Sequence, residues 1–233
     1  MADFADRIPW EQKFADAVHR QLNGSLDALM RYLGDPPDPS NVPESFWRAI
    51  GQELKPVILK SLTDIYLESA RALYDELAQQ AAFEFSWGLV DKGAANWATR
   101  YTDQLVKDLY QTNIDGTGAL VNLYHTEGWT MGDLEARLAE LFGRGRAELI
   151  ATTEVTRAAV EGERGTVDEI ESETGWNLPE VWQTEKDELV CDICGPLDGL
   201  EKGDGWDESD GPPAHPRCRC WTIHRLPELS HAD

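Results

Sequence analysis

No cysteine occurs before position 191 of this 233-residue chain. No apolar run approaches the ~18 residues a membrane-spanning helix needs, so a membrane partner is not expected. The first stretch, Met1 to Lys13, has no basic segment leading into an apolar one, so a cleaved signal peptide is not expected either. The compartment that follows is reducing cytoplasm, where clustered cysteines hold metals more often than they form disulfides. Basic residues are also scarce. Lysine and arginine number 21 against 43 acidic residues, a net charge of −22. Neither half of the chain has the basic footprint of a nucleic-acid binder, so weak or no direct nucleic-acid contact is expected, and the acidity reads as solubility. The phosphate-loop pattern G-x4-G-K-[ST], the nucleophile elbow G-x-S-x-G and the H-E-x-x-H motif are all missing, which removes ATPase and serine-hydrolase readings.

What remains is concentrated at one end. The four cysteines and one of five histidines read Cys191-x2-Cys194, then 20 residues, then His215-x2-Cys218-x-Cys220. Paired soft donors at the base of a polar loop suit a tetrahedral Zn²⁺, which takes Cys sulfur and His nitrogen. Five candidates, Cys191, Cys194, His215, Cys218 and Cys220, compete for four positions. Cys218 and Cys220 stand two apart and would point the same way in an extended strand, so both can reach one ion. Either His215 stands outside an all-cysteine site, or one of the last two cysteines is spare. The Gly195–Gly211 loop is rich in Gly, Asp and Glu, and a metal at its base would supply the constraint it lacks.

Upstream, helical periodicity dominates. Phe14, Val18, Leu22 and Leu26 predict a helix ending at Gly34, before the Pro-rich break 35–40. Leu54, Ile58, Leu62, Ile65, Tyr66, Leu73 and Leu77 predict a long helical run in which Pro56 marks a first turn or a kink, hence two helices. The pattern weakens over Gly88–Gly93, restarts at Trp97, Tyr101, Leu105 and Leu109, and is expected to break at Asp115-Gly116-Thr117-Gly118. Thr130 and Asp133 predict a capped helix with Leu134, Leu138, Leu141 and Phe142 inward, followed by a helix over 146–163. Val181–Thr184 and Trp221–Ile223 read as short strands flanking the cluster. The fold class is therefore mostly α, with helical N-terminal and central regions and a small C-terminal metal-stapled α+β module.

Several strings are specific. Trp182-Gln183-Thr184 leads through Asp187 and Val190 to Cys191 and Cys194; Leu197-Asp198-Gly199 follows, and then Pro212-Pro213-Ala214-His215-Pro216-Arg217-Cys218-Arg219-Cys220. Upstream stands Thr153-Glu154-Val155-Thr156-Arg157-Ala158. Together they resemble the phage Mu F-like minor head proteins, also called phage head morphogenesis proteins, over roughly residues 95–225. An Asn that commonly follows the Thr-Glu-x-x-Arg-Ala segment in that family is replaced here by Ala159-Val160-Glu161-Gly162. The resemblance implies a protein made in the host cytoplasm and packaged in the virion or procapsid interior near the portal vertex, with portal, capsid or scaffolding proteins as partners. It implies a Mu F-like head morphogenesis segment over 91–226, comprising helices over 95–170 and a Cys/His module over 176–226. A helical region of unassigned role precedes it over 1–90, and a tail follows over 227–233.

Two functional classes compete. One is a non-enzymatic assembly protein with a structural zinc. The other is a metal-dependent hydrolase or nuclease, injected or toxin-like, with Glu154 or Asp187 as the base. A thiolate-rich shell favours the first, because catalytic zinc takes mainly His and carboxylate donors and keeps a position open. Glu154 and Arg157 share a helix face and read as a solvated ion pair or an anchor toward the module; Asp187 reads as a turn cap or a residue orienting a ligand histidine. His19, His125, His224 and His231 read as ordinary surface or core residues. Trp47, Trp87 and Trp97 read as core, and Asp204, Asp207 and Asp210 as a solvated acidic loop, since their spacing misses that of a calcium loop.

Overall fold

A computed structural model of the protein describes residues 4–206 and 211–227. Its helices are α1 (Phe4–Asn23), α2 (Ser25–Leu33), α3 (Glu44–Ala78), α4 (Trp87–Glu127), α5 (Met131–Phe142) and α6 (Arg144–Thr174). Strands β1 (Glu180–Gln183) and β2 (Trp221–His224) complete it, with 3₁₀ turns at Pro39–Asn41 and Gly195–Leu197. The mostly helical class with a small C-terminal sheet is thus as the sequence predicts. No helix among the described residues is long and apolar enough to cross a membrane. Asp207, Asp210, His231 and most of the 227–233 tail lie outside the described residues.

The chain forms two compact units. One comprises the described residues of Met1–Glu11, Leu62–Trp97 and Thr152–Asp233, the other Gln12–Ser61 and Ala98–Ala151. The long helices α1, α3, α4 and α6 each give residues to both.

In the Gln12–Ser61 and Ala98–Ala151 unit, the first predicted helix is two. The chain bends at Gly24, and Leu29 and Leu33 are the buried positions of α2 where Leu26 was expected. Gly34 ends α2 at φ +77°, a left-handed conformation that costs glycine nothing, and its N–H reaches the Met30 carbonyl at 3.2 Å. Helix α4 does not break at Asp115–Gly118. A Cβ on Gly116 would stand 3.0 Å from Leu141 Cδ1, so glycine here admits a neighbouring side chain. Asn113 and Thr117 are buried beside it, and Gln111 Nε2 donates to Asp115 at 2.8 Å, which sustains the helix across its weakest residues. At α5 the expected cap is a full capping box: Asp133 N–H donates to Thr130 Oγ1, and Thr130 N–H to Asp133.

Pro56 sits inside α3, which is one helix and not two. An interior proline costs about 3 kcal/mol, while each fully buried Leu or Ile stabilises by about 1.5–3 kcal/mol. Leu54, Ile58, Leu62, Leu73 and Leu77 are all fully buried along this helix, so the stripe prevails.

In the other unit α3 and α6 approach closely. A side chain at Gly162 would run into the Tyr66 carbonyl, and one at Gly165 into the Tyr66 ring, so the two helices meet nearly backbone to backbone. Thr166 Oγ1 donates across to the Ala70 carbonyl at 3.3 Å. Helix α6 consequently runs beyond the expected 163, to Thr174, because Val167 and Ile170 join Leu73, Leu77 and Leu178 in a core covered by Phe83, Phe85 and Trp176. The glycine-rich stretch 88–93 is helical too, with Val90 and Ala94 packed against Tyr66 and Ala70. Of the three tryptophans expected in the core, Trp47 is buried, whereas Trp87 and Trp97 are half-buried against that cluster.

Candidate metal centre

Strands β1 and β2 pair antiparallel, Val181 opposite Ile223 and Gln183 opposite Trp221, and Val181 also bridges to Glu201. Gly199 N–H donates to the Trp182 carbonyl at 2.8 Å and Trp182 N–H to the Leu200 carbonyl at 3.0 Å. The loop after the first cysteine pair is thereby folded back onto β1. Gly199 adopts φ +82°, which accounts for glycine at this turn. Asp198 accepts from Thr184 N–H at 2.9 Å and Thr184 Oγ1 at 3.1 Å, so Thr184 and the Leu-Asp-Gly string are two halves of one clasp.

The loop holds more apolar material than its composition suggests. Trp206 packs edge-on against the fully buried Trp182, with ring centroids 5.3 Å apart, and Val190, Leu197 and Leu200 close around Cys194, Cys218 and Cys220. Trp206 was not singled out in the sequence; its only signal was a lone aromatic in a polar loop.

The fold brings all five donors together as two overlapping triads. Cys191, Cys194 and His215 form one, and Cys194, Cys218 and Cys220 the other, the ligand atoms within each lying within 4.8 Å of one another. His215 Nε2 stands 3.1 Å from Cys191 Sγ and 3.3 Å from Cys194 Sγ, and the Cys194 and Cys218 sulfurs are 3.8 Å apart. His215 Nδ1 lies 2.8 Å from the Pro216 carbonyl, which can only accept, so Nδ1 carries the proton and Nε2 presents its lone pair to the sulfurs. Cys194 N–H donates to Cys191 Sγ at 3.4 Å and Gly195 N–H to the Cys191 carbonyl at 2.9 Å, closing the first pair into a tight knuckle.

The electrostatics of this crowd suit a cation. Hydrogen bonding from Cys220 holds the Cys218 thiol down at about 5, despite burial. Burial, with the neighbouring Cys218 charge, pushes Cys194 up to about 12, and the bond to Cys218 together with burial raises Cys220 further. One thiolate is thus sheltered by neighbours that stay protonated, because several thiolates in a small buried volume repel one another. A divalent cation among them would reverse that balance and let each sulfur ionise. The cluster can hold a metal ion.

Residues outside the donor set fix its backbone. Asp187 caps the turn before Cys191, accepting from Leu189 N–H at 3.0 Å, and it takes both ends of the Arg219 guanidinium at 2.8 and 2.6 Å. That bidentate pair holds the Asp187 carboxyl below its usual range and pins the residue between Cys218 and Cys220. His215 is oriented by Pro216 and not by Asp187. Glu154 is buried on α6, 3.6 Å from Arg157 Nε. Two threonines of the same motif on α6 hold the segment bearing the last two cysteines: Thr156 Oγ1 donates to the Cys218 carbonyl at 3.2 Å, and Thr153 Oγ1 accepts from Arg217 N–H at 3.1 Å. Arg7, far away in sequence, was missed altogether. It is fully buried and donates to the Cys220 carbonyl at 3.0 Å. An isolated arginine at the start of an amphipathic helix reads as solvated, and no local pattern betrays its partner 213 residues on.

No curated protein and no solved structure matches the chain significantly. The stretch spanning residues 125–223, which holds α5, α6 and all five Cys and His candidates, matches the family model described as Phage Mu protein F like protein.

Proposed function

We propose that the protein is a minor head, or head morphogenesis, protein of a tailed phage, acting in procapsid assembly close to the portal, with the Cys/His cluster as a structural zinc site. The observation that carries this reading is the family match over residues 125–223, joined to a cluster whose donors all lie inside it. Portal, capsid or scaffolding proteins are the partners, and the virion or procapsid interior the location. The match falls within the 91–226 segment, which we take as the head morphogenesis part of the chain, with the helical region 1–90 left without an assigned role.

Within the five candidates we assign Cys191, Cys194, His215 and Cys218 as ligands and Cys220 as the thiol hydrogen-bonded behind Cys218. Support comes from Cys194, shared by both triads, whose sulfur stands 3.3 Å from His215 Nε2 and 3.8 Å from the Cys218 sulfur. A four-ligand shell of this kind braces a fold and leaves no position for an activated water. Asp187 is engaged by Arg219 and Glu154 by Arg157, so the two residues able to act as base already have structural work. A charge of −22 further disfavours a polyanionic substrate.

The experiment is co-expression with the portal and capsid proteins of the encoding phage, followed by co-purification and sedimentation of procapsids. Association with portal-containing particles is expected. Consistent failure to associate, with a folded and metal-loaded protein, would contradict the assembly role.

A further inference from the structure

We propose that Arg7 couples metal loading of the Cys/His cluster to docking of the first turns of α1, so that residues 4–11 are held only while the site is filled. The inference rests on the reading that the cluster holds zinc.

Two observations carry it. First, the backbone from Arg217 to Cys220 precedes β2 and has no strand partner, yet side chains from two distant helices satisfy it. Thr153 takes the Arg217 N–H and Thr156 the Cys218 carbonyl, while Arg7 Nη2 reaches the Cys220 carbonyl at 3.0 Å and the Arg219 carbonyl at 3.4 Å. Arg7 thus ties α1 to the ligand-bearing segment. Second, its guanidinium is wholly buried, an environment that works against its charge, and Glu163 of α6 and Glu11 one turn along α1 offset this cost. Glu11 in turn accepts from Thr152 Oγ1 at 2.9 Å, tying the same turn of α1 to the α6 motif that holds Cys218.

Emptying the site takes the anchor from the segment that carries the acceptor carbonyls of Arg7. A buried guanidinium left with weaker partners favours the undocked state. By linkage the effect is reciprocal: what the metal does for docking, docking does for the metal. Arg7 is therefore a positioning residue, acting on the ligands through the backbone that bears them.

Hydrogen exchange on the full chain tests this, comparing zinc-loaded and chelator-stripped protein, with zinc content measured on each and zinc affinity from competition with a chromophoric chelator. In the wild type, stripping is expected to speed exchange at residues 4–11 by about tenfold or more, while residues 98–127 stay unchanged. Arg7→Met is expected to free 4–11 even when loaded and to weaken zinc binding about tenfold, the range typical of residues that orient metal ligands; Arg7→Lys, which keeps the charge but lacks the fork, falls between. The wild-type comparison needs no variant to fold. Equal protection of 4–11 in loaded and stripped wild type, or wild-type affinity in Arg7→Met, would overturn the coupling alone. Absence of stoichiometric zinc in the wild type would overturn the metal reading and this inference with it.

Discussion

At the scale of single residues, the motif positions sort by what each holds. Asp187 holds Arg219, Asp198 holds Thr184, and Thr156 holds the Cys218 carbonyl. Asp187→Ala is therefore expected to loosen the Cys218–Cys220 segment and lower zinc affinity without unfolding the helices, and chelator competition beside far-UV circular dichroism would register both. A different residue governs the response to acid. His224 is buried opposite Glu180 in the sheet, and burial lowers its pKa despite the attraction of that carboxylate. The unfolded chain thus binds a proton more readily, so His224 contributes stability that is fully present above its unfolded value of ~6.5 and is lost as pH falls from there toward the lower folded value. Ligand protonation acts in the same direction, so the diagnostic quantity is a difference: His224→Asn should show a shallower loss of denaturant stability between about pH 7 and pH 5 than the wild type.

At the scale of elements, the close approach of α3 and α6 depends on two glycines. Gly162→Ala places a methyl group against the Tyr66 carbonyl, and backbone cannot swing aside as a side chain would. Overpacking of this kind costs about 1–3 kcal/mol, to be read from the urea midpoint, whereas Gly118→Ala on α4, where a Cβ meets nothing within 4 Å, should be neutral or stabilising. The same contrast shows what the sequence could and could not convey. Periodic stripes such as Leu54 to Leu77 and the Thr130/Asp133 cap were legible, because helix burial and capping follow local spacing. The continuity of α4 through Gly116 and of α3 through Pro56 was not, because what keeps them helical is packing that a local window cannot see. Both strands were legible from β-branched and aromatic runs; their pairing required the loop to fold back through Gly199. The gathering of Cys191, Cys194, His215, Cys218 and Cys220 into one cluster was legible, since cysteine and histidine spacing is itself the signal. Arg7 and Trp206 were not, since their partners are distant or their surroundings polar.

At the scale of the whole molecule, helices with their own buried stripes stand beside a module built around a donor cluster. Apolar packing around the cysteines comes from Trp182, Trp206 and a few aliphatics, whereas structural zinc sites contribute about 10–16 kcal/mol of apparent binding free energy. Cys194→Ser is accordingly expected to release residues 175–225 in hydrogen exchange while residues 98–127 keep their protection, and uniform loss along the chain would show that the module is not a separable unit. The account stands or falls on the metal and its shell, and X-ray absorption at the zinc edge of protein purified without chelator reads both together. It predicts one zinc per chain with three sulfurs at ~2.3 Å and one nitrogen at ~2.0–2.1 Å. A protein free of stoichiometric metal, or a zinc whose shell contains a water oxygen in place of a thiolate, would contradict it.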